Sequence, residues 1–379
     1  MSTPLTIGDL KEKARRRVPK MFFEYADSGA WSERAYRANE EDFGSISLRQ
    51  RVMTNITDRT LQTKMIGQPV TMPVAIAPTG MAGMQYPEGE MLAAKAAEEF
   101  GVPYTLSTMS ICSIEDVASA TTKPFWFQLY IMRDRDFVIS LMDRARAAGC
   151  SALVLTVDLQ ILGQRHKDLR NGLSAPPKLT PKHMLQMACR PSWCLRMLRT
   201  KRRHFGNIIG HAQDVSDMSS LLAWTSEQFD PHLSWRDVLW VKDQWKGPLI
   251  IKGILDVDDA KAAIDVGADA IVVSNHGGRQ LDVVPSSISM LPRIAEAVEG
   301  KVELHLDGGI RSGQDVLKAI ALGAKGTYIG RPYLYGLGAM GKEGVSLALS
   351  IIHKEMDQAM ALCGKRDIQD IGASIIASC

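Results

Sequence analysis

From about Pro73 onward, short apolar runs alternate with longer stretches in which apolar residues recur every three or four positions. The short runs are strand-sized: Pro73–Ala77, Pro103–Ser107, Phe125–Tyr130, Ala152–Asp158, Pro248–Lys252, Asp269–Asn275, Val302–Asp307 and Gly326–Gly330. The longer ones read as helices. Glu90–Phe100 stops at Gly101, Asp258–Val266 at Gly267 and Gln314–Leu322 at Gly323, each with glycine where a helix C-terminus favours it. Strand–helix alternation predicts a parallel sheet, and eight repeats predict an α/β fold closed into a (β/α)8 TIM barrel over about residues 71–365. A doubly wound open sheet is the competing architecture, but its early Gly-x-Gly-x-x-Gly turn is missing. Met1 to about Val70 reads as helices plus loop, an N-terminal cap on the barrel. The interval from Asp158 to Pro248 is far longer than a usual βα loop and predicts an insertion after strand 4, over about 169–233. No linker divides the chain, so 1–379 reads as a single domain.

Charge changes this picture in one place. The formal net charge is +3, yet Leu169–Gln213 holds nine Lys or Arg and no Asp or Glu. Without those nine, 36 basic residues face 42 acidic ones, so the basic excess belongs to the insertion alone. The six cysteines are scattered, with no spacing that suits zinc, and no metal site is expected. The start lacks an apolar signal core and no stretch is long enough to span a bilayer, which points to a reducing cytoplasm.

Barrel enzymes carry their chemistry at the carboxyl ends of the strands. Here those ends read Pro78-Thr79-Gly80, Ser107-Thr108, Gln128-Leu129-Tyr130, Thr156-Val157-Asp158, Lys252-Gly253, Ser274-Asn275-His276, Asp307-Gly308-Gly309 and Gly330-Arg331. Every end is polar or glycine, as one active-site mouth requires. The most specific stretch is Ser274–Asp282, which sets His276 three residues from Arg279 across two glycines. An imidazole base beside a planar, permanently charged fork suits a substrate with a proton to lose and a carboxylate to be gripped. A 2-hydroxy acid is the simplest such molecule. Asp307–Gly313 and Gly330-Arg331 follow strands 7 and 8, where barrels often bind phosphate through glycine N–H groups, a helix N-terminus and arginine. Taken singly, a histidine is more often structural and a Gly-Gly loop more often a turn. It is their convergence on one rim that favours a site.

These residues resemble the FMN-dependent 2-hydroxy acid dehydrogenase and oxidase family from about Leu10 to Ile371. Leu48–Val52, Trp126–Tyr130 and Ile251–Asp256 are most similar to its branch of bacterial respiratory L-lactate dehydrogenases. The resemblance implies FMN as cofactor and oxidation of an L-2-hydroxy acid, foremost L-lactate, to the 2-oxo acid. It makes His276 the base for the hydroxyl proton while the α-hydrogen passes as hydride to the flavin; a carbanion route stays open. Asp158 would fix the His276 tautomer. Arg279 and Tyr25 would grip the carboxylate, with Arg165 close by and Tyr130 near the substrate oxygen. Lys252 would face the flavin's pyrimidine edge. Pro78, Thr79, Gly80, Ser107, Gln128 and Thr156 match flavin-ring contacts, and Ser274 a ring or ribityl contact. Asp307, Gly309, Arg311, Gly330 and Arg331 match ribityl and phosphate contacts. Met109, where glycolate oxidases carry tryptophan, argues against glycolate. Gly80, often alanine in oxidases, favours an acceptor other than oxygen.

The resemblance further implies a quinone or other respiratory acceptor and a homo-oligomer, in relatives often a tetramer. An oxidase making hydrogen peroxide is the alternative, and a Schiff-base aldolase built on Lys252 is a further one. The insertion mixes Trp193, Leu195 and Leu198 with Arg190, Arg196 and Arg199. Such a segment suits an anionic membrane surface, placing the protein peripherally on the cytoplasmic face of the inner membrane. A lid with solvated charges is the plain alternative. Nucleic acid is not expected as a partner, since no recognised module accompanies the basic run.

Overall fold

The computed structural model describes residues 3–173, 180–211 and 228–377, so the expected insertion lies partly outside the described residues, at 174–179 and 212–227. Ten strands are present among those described: β1 (Thr63–Met65), β2 (Gln68–Val70), β3 (Val74–Ile76), β4 (Thr105–Ser107), β5 (Trp126–Leu129), β6 (Ala152–Thr156), β7 (Leu249–Ile254), β8 (Ala270–Val273), β9 (Glu303–Asp307) and β10 (Gly326–Ile329). The last eight form one parallel sheet in the order β3-β10-β9-β8-β7-β6-β5-β4. A parallel bridge between Ile76 and Tyr104 joins its two outer strands and closes the barrel. Both faces of these strands are buried, which is why they read as continuous apolar runs. One set, including Ala75, Trp126, Val154, Ile250, Val272 and Tyr328, fills the barrel interior. The alternate set, including Val74, Leu106, Phe127, Leu155 and Ile271, packs outward on the helices.

The strands are shorter than the apolar runs that announce them. Asp158, for example, lies two residues beyond β6 and Asn275 two beyond β8. The segment before the barrel also differs from the expected helices plus loop, because β1 and β2 form an antiparallel hairpin. Its turn sets Ile66 (φ 48°) and Gly67 (φ 72°) both in the left-handed region, as a tight two-residue hairpin requires. Met65 reaches the interior cluster at the N-terminal end of the strands, where Glu303, first residue of β9, accepts from the Ile66 N–H at 3.0 Å. The hairpin thus plugs the barrel at the end opposite the mouth. Three-residue strands are too short to show alternation, so periodicity does not reveal them.

Before the barrel come α1 (Ile7–Arg17), α2 (Lys20–Ala26) and α3 (Arg34–Gly44); α2 lends Tyr25 and Ala26 to the mouth and α3 lies against Gly309, while α1 reaches the helix Arg331–Met340 through Arg17. A capping box between Thr6 and Asp9 starts α1, and Pro19 precedes α2. Docking of α3 is polar and specific. Asn39 donates to Asn275 Oδ1 at 2.7 Å, and Asn275 donates back to Asn39 Oδ1 at 2.9 Å. Asp282 accepts from Ser32 N–H and hydroxyl and from Ala35 N–H, at 2.6–2.9 Å. Both acceptors belong to the loop after β8, so the cap is fastened to the segment that carries His276. Asn39→Ala removes both bonds of the pair and takes the acceptor from the buried Ser287 N–H, and should destabilise the protein by about 1–3 kcal/mol. Urea denaturation measures this, and an unchanged midpoint would show that the pair does not fasten the cap.

Candidate active site

At the end of β7 the pairing register with β8 shifts between Lys252 and Ile254. The shift is made by Gly253 at φ 106°, and a Cβ there would lie 2.6 Å from Asp158 Cγ. Only glycine lets the Asp158 carboxyl lean over β7 in this way. Asp158 Oδ1 in turn lies 2.8 Å from His276 Nδ1. The ring's Nε2 is thereby left for the cleft that His276 lines. Burial lowers the His276 pKa below the ordinary imidazole value, outweighing the pull of Asp158, while Lys252 and Arg165 lower it further. Burial alone would raise Asp158, but His276 and then Lys252 hold its carboxyl below the usual range. The pair is therefore a neutral imidazole oriented by a carboxylate.

Lys252 is 4% exposed, and its charge is matched rather than solvated. Its Nζ lies 2.6 Å from Asp307 Oδ2 and donates to Ser274 Oγ at 3.1 Å. Ser274 donates to Asp307 at 2.9 Å and accepts the His276 N–H at 3.0 Å. That last bond steadies His276 itself, whose φ of 57° is unusual outside glycine. Burial would lower the Lys252 pKa, yet Asp307 and Asp158 raise it above the ordinary value. A Schiff-base nucleophile must be neutral, so this ammonium is poorly suited to the aldolase alternative.

Arg279 and Arg165 line the same cleft as His276, with Tyr25 and Tyr130. The Arg279 guanidinium lies over the Tyr25 ring at 4.7 Å and donates to the Tyr25 carbonyl. Arg165 donates to the Arg279 carbonyl at 3.3 Å. Burial lowers the Arg279 pKa and the neighbouring Arg165 adds to this, a sign that positive charge here is under-compensated. Across the mouth lie Asp307, Gly309, Arg311, Gly330 and Arg331, also cleft-lining. Arg331 donates to the carbonyls of Ala26, Ser28 and Gly277 at 2.8–3.0 Å and sits over the Tyr36 ring. Arg311 pairs with Glu40 at 2.7 Å. Gly309 (φ 86°) lets the middle of α3 approach, since a Cβ there would be 1.8 Å from the Asn39 carbonyl. Between these two sets, Pro78, Thr79, Gly80 and Ser107 line the floor. Thr79 hydrogen-bonds Tyr333, and Ser107 donates to Gln128 Oε1 at 3.1 Å. Gln128 and Thr156 lie below and do not line this cleft.

The sequence profile of the FMN-dependent dehydrogenase family matches residues 14–378. The chain belongs to the FMN-dependent dehydrogenase family. It is 46% identical over 370 residues to an L-lactate dehydrogenase of Caulobacter vibrioides (strain NA1000 / CB15N), covering 97% of this chain and 96% of that protein. An L-lactate dehydrogenase of Pectobacterium atrosepticum is also 46% identical, over 96% of this chain and 94% of its own. Among solved structures, the monotopic membrane protein (S)-mandelate dehydrogenase superposes with a TM-score of 0.95 at 32% identity, over 99% and 100% of the two chains.

Family membership implies FMN, and the residues fit it. The Gln128 side-chain amide nitrogen and the Thr156 hydroxyl are buried without a partner among the described residues, so each has hydrogen-bonding capacity to offer a ligand. A Cβ added at Gly330 would find its nearest neighbour only at 3.7 Å, so the backbone there borders open space. The helix Arg331–Met340 begins at this point without a side-chain cap. Uncapped N–H groups beside Arg331 and Arg311 suit a phosphate dianion.

Several residues of this FMN-dependent dehydrogenase escape sequence reasoning. Asn39 and Asn275 have no chemistry of their own to attract notice. Glu90 is fully buried and accepts from Gly83 N–H and Ile111 N–H, tying the loops after β3 and β4 together. Phe205 and Phe229 reach the cleft from the insertion, a region with no periodic signal. Gly253→Ala should displace Asp158 and cost about 1–3 kcal/mol of stability from its backbone conformation alone. Flavin reduction by substrate in the folded variant should fall at least tenfold; an unaltered rate would remove the Gly253–Asp158 contact from the site.

Proposed function

We propose that the chain oxidises an L-2-hydroxy acid, foremost L-lactate, to the 2-oxo acid and passes the electrons to a quinone or comparable respiratory acceptor. The observation that carries this reading is the His276 ring, fixed at Nδ1 by Asp158, in one cleft with Arg279 and Arg165. The names of the relatives in Caulobacter and Pectobacterium support lactate. Bound FMN supplies the two-electron oxidant. Arg279, with Tyr25 and Arg165, binds the substrate carboxylate and so aims the hydroxyl at His276. His276 Nε2 takes the hydroxyl proton, and Asp158 stabilises the resulting imidazolium. Tyr130 hydrogen-bonds the substrate oxygen; burial and then Asp158 raise its pKa, so it acts as a neutral donor. Lys252 presents fixed positive charge to the cofactor, held by Asp307 and Ser274. Pro78, Thr79, Gly80 and Ser107 seat the ring, and Gln128 and Thr156, set behind the cleft lining, offer it a buried amide nitrogen and hydroxyl. Gly309, Arg311, Gly330 and Arg331 serve the ribityl phosphate end.

We also propose that the insertion docks this enzyme on an anionic membrane surface. Helices Pro181–Ala188 and Pro191–Arg199 expose Met184, Leu185, Leu195 and Leu198 beside Lys182 and Arg199. No helix among the described residues is long and apolar enough to cross a membrane. The likeness to a monotopic membrane dehydrogenase supports surface attachment. Trp193 is not part of the exposed face. Its indole is buried, stacks on Phe22 at 5.3 Å and donates to the Met84 carbonyl at 2.9 Å. Arg202 is likewise taken up, by Glu88 and Asp116 at 2.7–2.9 Å. Both therefore join the insertion to the barrel, and Trp193, named in the sequence reading among the residues suited to a membrane surface, is turned away from it.

Anaerobic titration of the FMN-loaded protein with L-lactate should bleach the flavin, and rapid reoxidation by air would overturn the quinone assignment. His276→Gln should retain the yellow flavin while reduction slows by about 10²–10⁴-fold. Because the base must be unprotonated and its pKa is lowered, wild-type reduction should stay fast near neutrality and fall only as pH drops below the ordinary imidazole range. A rate that falls with rising pH across neutrality would exclude His276 as base. Leu195→Glu with Leu198→Glu should abolish co-sedimentation with phosphatidylglycerol-containing vesicles. Undiminished binding would place the membrane contact elsewhere.

A further inference from the structure

Around the cleft, the loops after β4, β5 and β6 carry an arc of large apolar side chains, with Tyr130 and Arg165 as the polar residues on the same loops. Met109 follows β4, and Leu159 and Leu162 follow β6. The two remaining large apolar residues of this arc, Phe205 and Phe229, come from the two flanks of the insertion.

Neither phenylalanine is loosely placed. Asn207, fully buried, donates to the carbonyls of Ser107 and Thr108 at 3.2 and 3.3 Å and to Ser110 Oγ at 3.0 Å. Its Oδ1 accepts the Ile114 N–H at 2.8 Å. Between them, Gly206 is pressed on the same loop, since a Cβ there would lie 2.8 Å from the Ile111 carbonyl and the Ser113 nitrogen. Phe205 is thus held against the loop after β4 by the two residues that follow it. Phe229 forms an antiparallel bridge with Met132, just beyond β5. Gln228 accepts from Arg133 N–H through its carbonyl at 3.1 Å and from Asp134 N–H through its side chain at 2.9 Å. Fastened backbone on both flanks, with an aromatic ring delivered from each, is the arrangement of a built wall.

We infer that Phe205 and Phe229 are specificity-determining residues that close the side-chain end of the substrate site. They restrict it to 2-hydroxy acids with a compact apolar side chain and exclude those with a second charged or hydroxylated group. A second carboxylate placed against Phe205, Phe229, Leu159, Leu162 and Met109 would lose its hydration, because the donors on the same loops among the described residues, Tyr130 and Arg165, are taken in this reading by the substrate's own oxygen and carboxylate. A bulky alkyl or aryl group would have to displace an anchored ring. The inference rests on the hydroxy acid reading above but concerns a different part of the cleft from His276 and Arg279.

The test compares kcat/KM for L-lactate, L-2-hydroxy-4-methylpentanoate and L-2-hydroxysuccinate in the FMN-loaded wild type, Phe205→Ala, Phe229→Ala and Phe205→Leu. Wild type should prefer L-lactate to the dicarboxylate by at least about a hundredfold. Each alanine variant should raise the ratio of the branched acid to L-lactate by about tenfold or more. Phe205→Leu, which keeps an apolar filler, should stay between, and the bound-flavin spectrum reports that each variant has folded. Comparable turnover of L-lactate and the dicarboxylate by wild type would overturn the inference. So would a branched-to-lactate ratio within twofold of wild type in both alanine variants that retain flavin. If no 2-hydroxy acid bleaches the wild-type flavin, the functional reading itself fails, an outcome separable from the other two.

Discussion

A lysine, two carboxylates and a histidine are held out of water at one end of the barrel, and each is tolerable only because the others are present. Lys252 has Asp307 at 2.6 Å, His276 has Asp158 at 2.8 Å, and Ser274 joins the halves with one hydroxyl. Removing Lys252 or Asp307 would leave the other buried without its close partner, which is more costly than the net worth of the intact pair, and removing Asp158 would free the neutral His276 ring to turn. The network therefore constrains its supports. Gly253 must be glycine so that Asp158 can lean inward, and His276 must keep a left-handed backbone so that its N–H meets Ser274.

Compensation within the network contrasts with the rest of the mouth. Arg279, Arg165 and Arg331 are placed by carbonyls and aromatic rings rather than by close carboxylates. Burial lowers the pKa of Arg279 and of Arg331, and a neighbouring arginine adds to the effect in each. Positive charge that the protein itself leaves unneutralised is a standing attraction for anions, and the proposed ligands supply two: a substrate carboxylate and a cofactor phosphate.

The barrel was legible in the sequence because parallel strands buried on both faces leave runs such as Ala270–Val273 that local pattern alone reveals. The polar strand ends were legible for a related reason, since Lys252 or His276 at the close of an apolar run has no packing explanation. The plug hairpin was hidden by strands of three residues. The Asn39–Asn275 pair joins positions 236 apart and has no local signature. Trp193 was misread because composition cannot tell which side of a short amphipathic helix meets the barrel; in the structure its indole N–H has a buried acceptor. Phe205 and Phe229 gave no signal because their positions are fixed by neighbours, Asn207 and Gln228, whose partners lie in other elements.

The cap on the mouth has a consequence for the order in which the protein can be made. Helices α1 to α3 leave the ribosome before the barrel does, yet Arg17 meets the Ala339 carbonyl, Ala30 bonds the Gly278 carbonyl and Asn39 waits for Asn275. The first strand of the barrel likewise pairs with the last, Val74 with Thr327. These helices and the first barrel strand therefore wait for partners until the last barrel strands have emerged, and assembly of the mouth is a late event in the life of each nascent chain.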